Sequence, residues 1–165
     1  MPTSENHAKL QRLIFKLNTR DWHGHANEGI WAEQVQGSDD GMVFRLANSP
    51  FFARGVSYRD IVRALSIPGT QELFFDRVLQ HSGHSTYMIL VPEGNTEFET
   101  CWTKLQLLGC TYEGTSINIS LGTTKLYSVD IPGLTDIYAV YSILKIGEKS
   151  GVWTFQEGHV GHKLK

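Results

Sequence analysis

The pattern of hydrophobic positions changes character near His84. Before it, apolar and polar residues alternate in short runs: "KLQRLIFKL" sets Leu13, Phe15 and Leu17 on one side of an extended chain, and "GIWAEQVQ", "MVFRLA", "IVRALSI" and "QELFFDRVLQH" follow. Successive side chains of a strand point to opposite faces, so such runs predict half-buried strands. Asp39-Asp40-Gly41 separates two of them and predicts a hairpin turn, because glycine takes the positive φ that tight turns need. Five or six short strands without a long helix predict a small, partly closed β barrel.

One stretch of this half, "ANSPFFARGVSYRDIVRAL", breaks the alternation. Pro50 has no amide hydrogen and restricts Ser49, so the chain is expected to leave the sheet there. Phe51 and Phe52 are expected to pack under the loop as a corner of the barrel, with Gly55 allowing the turn. Ser57-Tyr58-Arg59-Asp60 has the Ser-x-x-acid spacing of a capping box and predicts a single helical turn.

Beyond His84 the apolar period lengthens to that of a helix. "STYMILVP" predicts a strand, Thr96-Glu97-Phe98-Glu99 a capping box, and Phe98, Cys101, Trp102, Leu105 and Leu108 one helical face stopped by Gly109. "CTYEGTSINISL" and "TKLYSVDIP" predict two strands joined through Gly122. After the break at Pro132-Gly133, Ile137, Val140, Tyr141 and Leu144 form a second stripe, started by Thr135 or Asp136 and ended by Gly147. "GVWTFQEGHV" predicts a last strand. The order strand, helix, strand, strand, helix, strand is that of a ferredoxin-like βαββαβ half, with both helices on one face of four antiparallel strands.

The fold class is therefore α+β, with a barrel-like subdomain over residues 1–84 and a ferredoxin-like subdomain over 85–165. Because "FFDRVLQHSGHSTYMILV" runs nearly straight through the boundary, the two are expected to pack rigidly. No internal repeat or low-complexity tract interrupts them.

Composition narrows the function. The 165 residues are 41% hydrophobic and 19% charged, the make-up of an ordinary globular chain. A net charge of -2 without a basic stripe argues against nucleic-acid binding. The longest apolar runs, such as Met88 to Val91, fall far short of the roughly 20 residues of a membrane span. "MPTSENHAKLQR" lacks the apolar core of a signal peptide, so a soluble cytoplasmic protein is expected. Cys101 and Cys110 are expected reduced, Cys101 as a small buried hydrophobe.

The seven histidines include two His-x-x-His pairs, His81 with His84 and His159 with His162, while His23 and His25 flank Gly24. In strand or turn context a three-residue spacing does not present both rings to one ion, so no metal is expected. Ser82 in "HSGHS" lacks the strand-to-helix elbow of a serine nucleophile. Glycine-rich phosphate cradles are missing, and no cofactor is expected. Asp39-Asp40 and the pair Glu97 with Glu99 have turn and helix-start explanations. Trp22, Trp31, Phe51, Phe52 and Tyr58 could be core or could line a ligand cleft. Arg54, Arg59 and Arg63 lie close to them in sequence, and arginine with aromatics is the composition of interface hot spots.

Three runs carry a family resemblance: Trp31-Ala32-Glu33, "GMVFRLANSPFFARGVSYRDIVRA" and "SGHSTYMILV". They resemble a bacterial family catalogued as domain of unknown function number 4265, from about Leu10 to Phe155. Some members look like immunity proteins encoded beside secreted antibacterial toxins. The resemblance thus implies a non-enzymatic cytoplasmic protein that binds a cognate toxin and occludes it. Arg54, Tyr58, Arg59, Arg63 and His84 are the candidate partner-binding residues. Two other classes stay open: a small-molecule or nucleotide sensor built on the ferredoxin-like half, and a hydrolase or transferase using His84 with Ser82 or Glu33. Oligomeric state is not legible.

Overall fold

The computed structural model describes residues 9–35, 41–119 and 122–165. Among them nine strands and two helices form a mixed α+β, mostly stranded molecule built on two sheets. The first sheet comprises β1 (Leu10–Lys16), β2 (Asn27–Gln34), β3 (Val43–Leu46), β4 (Ile61–Ser66) and β5 (Leu73–Gln80). Each pairs antiparallel with the next, and β1 also pairs β5 in parallel through Leu13 with Leu73 and Ile14 with Phe74. The alternation works as its period dictates: Leu13, Phe15, Ile30, Ala32, Phe44, Leu46, Val62 and Ala64 turn to one side and make a core with Ala53 and Val56. Asp39-Asp40 of the expected hairpin turn lie outside the described residues, but Ala32 stands opposite Leu46 on the flanking strands.

The second sheet holds β6 (Ser85–Pro92), β7 (Thr111–Ile119), β8 (Gly122–Ile131) and β9 (Thr154–His159), in the spatial order β7-β8-β6-β9 and antiparallel throughout. Helices α1 (Phe98–Leu107) and α2 (Ile137–Lys149) connect them. Tyr87, Ile89 and Val91 of β6 join Phe98, Trp102, Leu105, Val140, Leu144 and Trp153 in one core. Met88 faces the other way, with Leu126, Ile117 and the partly buried Leu90, Phe51 and Phe52. A strand covered on both faces can carry an unbroken apolar run, which is why "YMILV" does not alternate.

Several local expectations need correction. Phe51 and Phe52 do not pack beneath their own sheet; they are half-buried against the face of the second sheet opposite its helix-side core. Ser57 to Asp60 forms a turn and no helix, although Asp60 reaches back to the Ser57 amide as a capping acid does. Thr96 caps nothing: the residue before α1 is Glu97, which makes no side-chain cap, and its own amide donates to Asn95 Oδ1 at 2.9 Å. Gly147 does not end α2. The helix runs on to Lys149, and a Cβ at Gly147 would stand 2.3 Å from the Trp153 ring. Finally, β5 and β6 are not one straight strand, since residues 81–84 turn between them with Gly83 at φ 90°.

Both cysteines are free; Cys101 is half-buried, while Cys110 is the buried one, its thiol pushed up to about 12 by burial and by the Asp130 charge. Among the described residues no helix is long and apolar enough to cross a membrane.

Candidate functional site: a histidine–aspartate junction

The irregular loop between β3 and β4 is pinned from both sides. The Glu28 carboxylate on β2 accepts the amides of Phe51 at 2.5 Å, Phe52 at 2.9 Å and Ala53 at 2.8 Å, satisfying three donors that no strand could take. On the far side Pro50 carbonyl accepts from Ser128 Oγ at 2.5 Å, and the Gly55 amide donates to Gly158 carbonyl at 3.0 Å. The loop thereby ties the first sheet to the second. Linear reasoning missed Glu28, yet the signal was there: it shares the inward face of β2 with Ile30 and Ala32, where a carboxylate needs partners.

Where this loop meets the start of β6, polar groups concentrate. Asp60 is fully buried, and its Oδ2 accepts the Ser57 amide at 2.9 Å while Oδ1 accepts the Ser82 amide at 2.8 Å. His81 Nδ1 stands 3.1 Å from Oδ2. The register explains the encounter, for Ile61 faces Gln80 and one step outward sets Asp60 beside His81. Ser57 Oγ accepts from Thr86 Oγ1 at 2.8 Å, and Ser82 Oγ donates to the Tyr58 carbonyl at 2.7 Å. Arg59 holds φ 68°, and is alone among the described non-glycine residues in that left-handed region.

A second pair lies alongside. His84 Nδ1 contacts both oxygens of Asp130, at 2.8 and 3.1 Å. Burial pushes the Asp130 carboxyl up, and the contact with His84 pulls it back. A carboxylate at Nδ1 leaves Nε2 as the acceptor nitrogen, the orientation a general base or a hydrogen-bonding contact would use. The Tyr58 ring stands edge-on to His84 at 5.5 Å. These residues line a groove of about 460 Å³ with Tyr112, Glu113 and Ser128. Glu113 sits on its open rim, its carboxyl pushed up by partial desolvation against the pull of a hydrogen bond with Asn48.

Of the five expected partner-binding residues, Tyr58 and His84 meet in this groove, and Arg59 stands beside them with its guanidinium 5.9 Å from the Tyr58 ring. Arg54 points elsewhere, to Gln156 Oε1 at 3.4 Å, and Arg63 sits on β4 opposite Val43 and Arg77, away from the groove. Among the described residues the His84 ring hydrogen-bonds Asp130 and neither Ser82 nor Glu33. Ser82 Oγ is held by backbone groups, and Glu33 lies on β2 opposite Leu10 and Arg45. Nor do the five aromatics form one cluster: Phe52 packs with Trp22 and stacks on His25 at 4.4 Å, Tyr58 meets His84, and Trp31 is half exposed on another face.

The four histidines of the two His-x-x-His segments are not loose loop residues. His81 stacks on His159, ring centroids 4.4 Å apart, while His162 Nδ1 meets Ser85 Oγ at 2.6 Å and its Nε2 the Pro132 carbonyl at 3.0 Å. Burial and then the His81 charge lower the His159 pKa, so its neutral form is favoured. The antiparallel pairing of Thr86 with His159 brings the segments together, a long-range register that short-range spacing does not encode.

A family model described as a domain of unknown function (DUF4265) matches residues 28–155. No curated protein matches the chain. A solved structure, described as the novel crystal structure of a hypothetical protein from Neisseria gonorrhoeae, is similar with a TM-score of 0.71 at 19% identity, over 93% of this chain and 98% of that one. At that identity the likeness is one of fold.

Proposed function

This chain belongs to the family of domains of unknown function DUF4265, and we propose that it is a non-enzymatic binding protein whose partner docks on Tyr58, Arg59 and His84. In this reading the partner is a secreted antibacterial toxin, neutralised in the cytoplasm by occlusion of its working cleft. The architecture that presents the surface is a small barrel over 1–84, supported by the closing β1–β5 pairs, packed rigidly on a ferredoxin-like half over 85–165, supported by the order β7-β8-β6-β9.

The observation that carries the proposal is Arg59. A left-handed arginine costs about 1 kcal/mol or more that a glycine would not. Its guanidinium lies 5.9 Å over the Tyr58 ring and meets no carboxylate among the described residues. A strained residue whose side chain does so little for its own fold is well suited to work for a partner, and arginine beside tyrosine is a recurrent hot-spot pair.

The test is co-expression with the product of the adjacent gene. Growth rescue and a stoichiometric complex are expected, and Arg59→Gly should weaken the complex while leaving stability equal or raised by up to about 1 kcal/mol. Absence of rescue and of a complex would sink the reading. His84, Asp130 and Glu113 favour a second one, acid–base chemistry in the groove, since an imidazole held by Asp130 lines the same groove as a carboxyl that holds its proton more tightly than usual. That alternative predicts a turnover abolished by His84→Ala with the fold intact.

A further inference from the structure

The stacked imidazoles of His81 and His159 beside buried Asp60 have no role in the docking surface. The three residues offer one ligand atom each, all within 4.8 Å of one another. We propose that Asp60, His81 and His159 form a site for a single divalent cation of the zinc class, with one coordination position left to solvent.

Four features of the chain converge on this. The donor set, two imidazoles and one carboxylate, is the set that zinc accepts at three-ligand sites. Asp60 Oδ2 and His81 Nδ1 stand 3.1 Å apart, close to the roughly 3.3 Å between two ligands of a tetrahedral ion whose bonds are about 2 Å. The carboxylate is aimed in advance by the Ser57 and Ser82 amides, the second-shell support that ligating carboxylates need. And His159 Nε2 is buried without a hydrogen-bond partner, a state that polar atoms rarely keep unless something else occupies them.

His81 keeps 48% of its side chain exposed, so its ring has room to turn out of the stack and point its lone pair at the ion, as a neutral imidazole whose proton sits on the other ring nitrogen. The ligands come from both sheets, Asp60 and His81 from the ends of β4 and β5 and His159 from the end of β9. The bound ion would therefore clasp the two halves across their junction. This inference does not rest on the toxin-binding reading.

The experiment is titration of the tag-free full chain with Co²⁺ and then Zn²⁺, followed by visible absorption, calorimetry and thermal melting. One Co²⁺ per chain is expected, with the absorption of a low-coordinate nitrogen and oxygen site bleached by Zn²⁺, and with a rise in Tm as the ion binds only the folded state. His81→Ala and His159→Gln should each weaken binding by at least about tenfold and remove the spectrum, whereas His25→Ala should leave it unchanged. His81 is exposed enough for its variant to fold, which keeps the test decisive. Failure to saturate at one ion per chain, binding unaltered in both ligand variants, or loss in His25→Ala instead would each overturn the site.

Discussion

Gly147 illustrates how one atom can reverse an expectation. Glycine inside a helix normally costs about 1 kcal/mol relative to alanine, so Gly147→Ala would stabilise an ordinary helix. Here the new methyl would enter the ring of Trp153, which is fully buried and anchored by its Nε1 donating to the Leu144 carbonyl at 2.9 Å. The expected outcome is a net loss of about 1–3 kcal/mol, seen as a lowered denaturant midpoint. An unchanged or raised midpoint would mean that the indole can yield. The residue was visible in the sequence as an end signal because nothing local distinguishes a glycine that stops a helix from one that admits a distant tryptophan. Glu28 is the reverse case, legible from its place in the alternation but only as a polar residue in want of partners.

At the scale of the element, strands and helices followed their periodicities, and their ends did not always follow theirs. Both helix starts carried capping signals, yet only Asp136 caps, accepting the amides of Tyr138 at 3.0 Å and Ala139 at 3.3 Å. Thr96 is displaced by the Asn95 turn. Asp136→Ala should therefore cost about 1 kcal/mol, and Thr96→Ala should stay within experimental error of the parent in the same urea series. Equal losses would show that the two helices start alike. The reason for the divergence is competition: several short polar side chains near a helix start can reach the same amides, and the path of the incoming chain selects among them.

For the whole molecule, the loop from Ala47 to Asp60 is the link between sheets, and its anchor is the Glu28 carboxylate. Glu28→Gln replaces one acceptor oxygen with a donor facing backbone amides, so it should cost more than a neutral hydrogen bond, about 2–3 kcal/mol. It should also raise hydrogen exchange at Phe51, Phe52 and Ala53 before exchange rises in β1 or β2. Exchange that rises uniformly would contradict the anchoring role. Tyr58 and Arg59 would lose their fixed position in the same variant, so the proposed docking surface depends on the same anchor.

Alternation and helical period by themselves determined the strand and helix content and the pairing of β2 with β3, because these depend on neighbours a few residues apart. They also singled out the stretch that links the two sheets. What only the tertiary structure decided is which distant residues share a space: Asp60 with His81 and His159, His84 with Asp130, Glu28 with the loop it holds. Those meetings are set by sheet register between strands far apart in sequence and by the packing of one sheet on the other. No spacing along the chain encodes either.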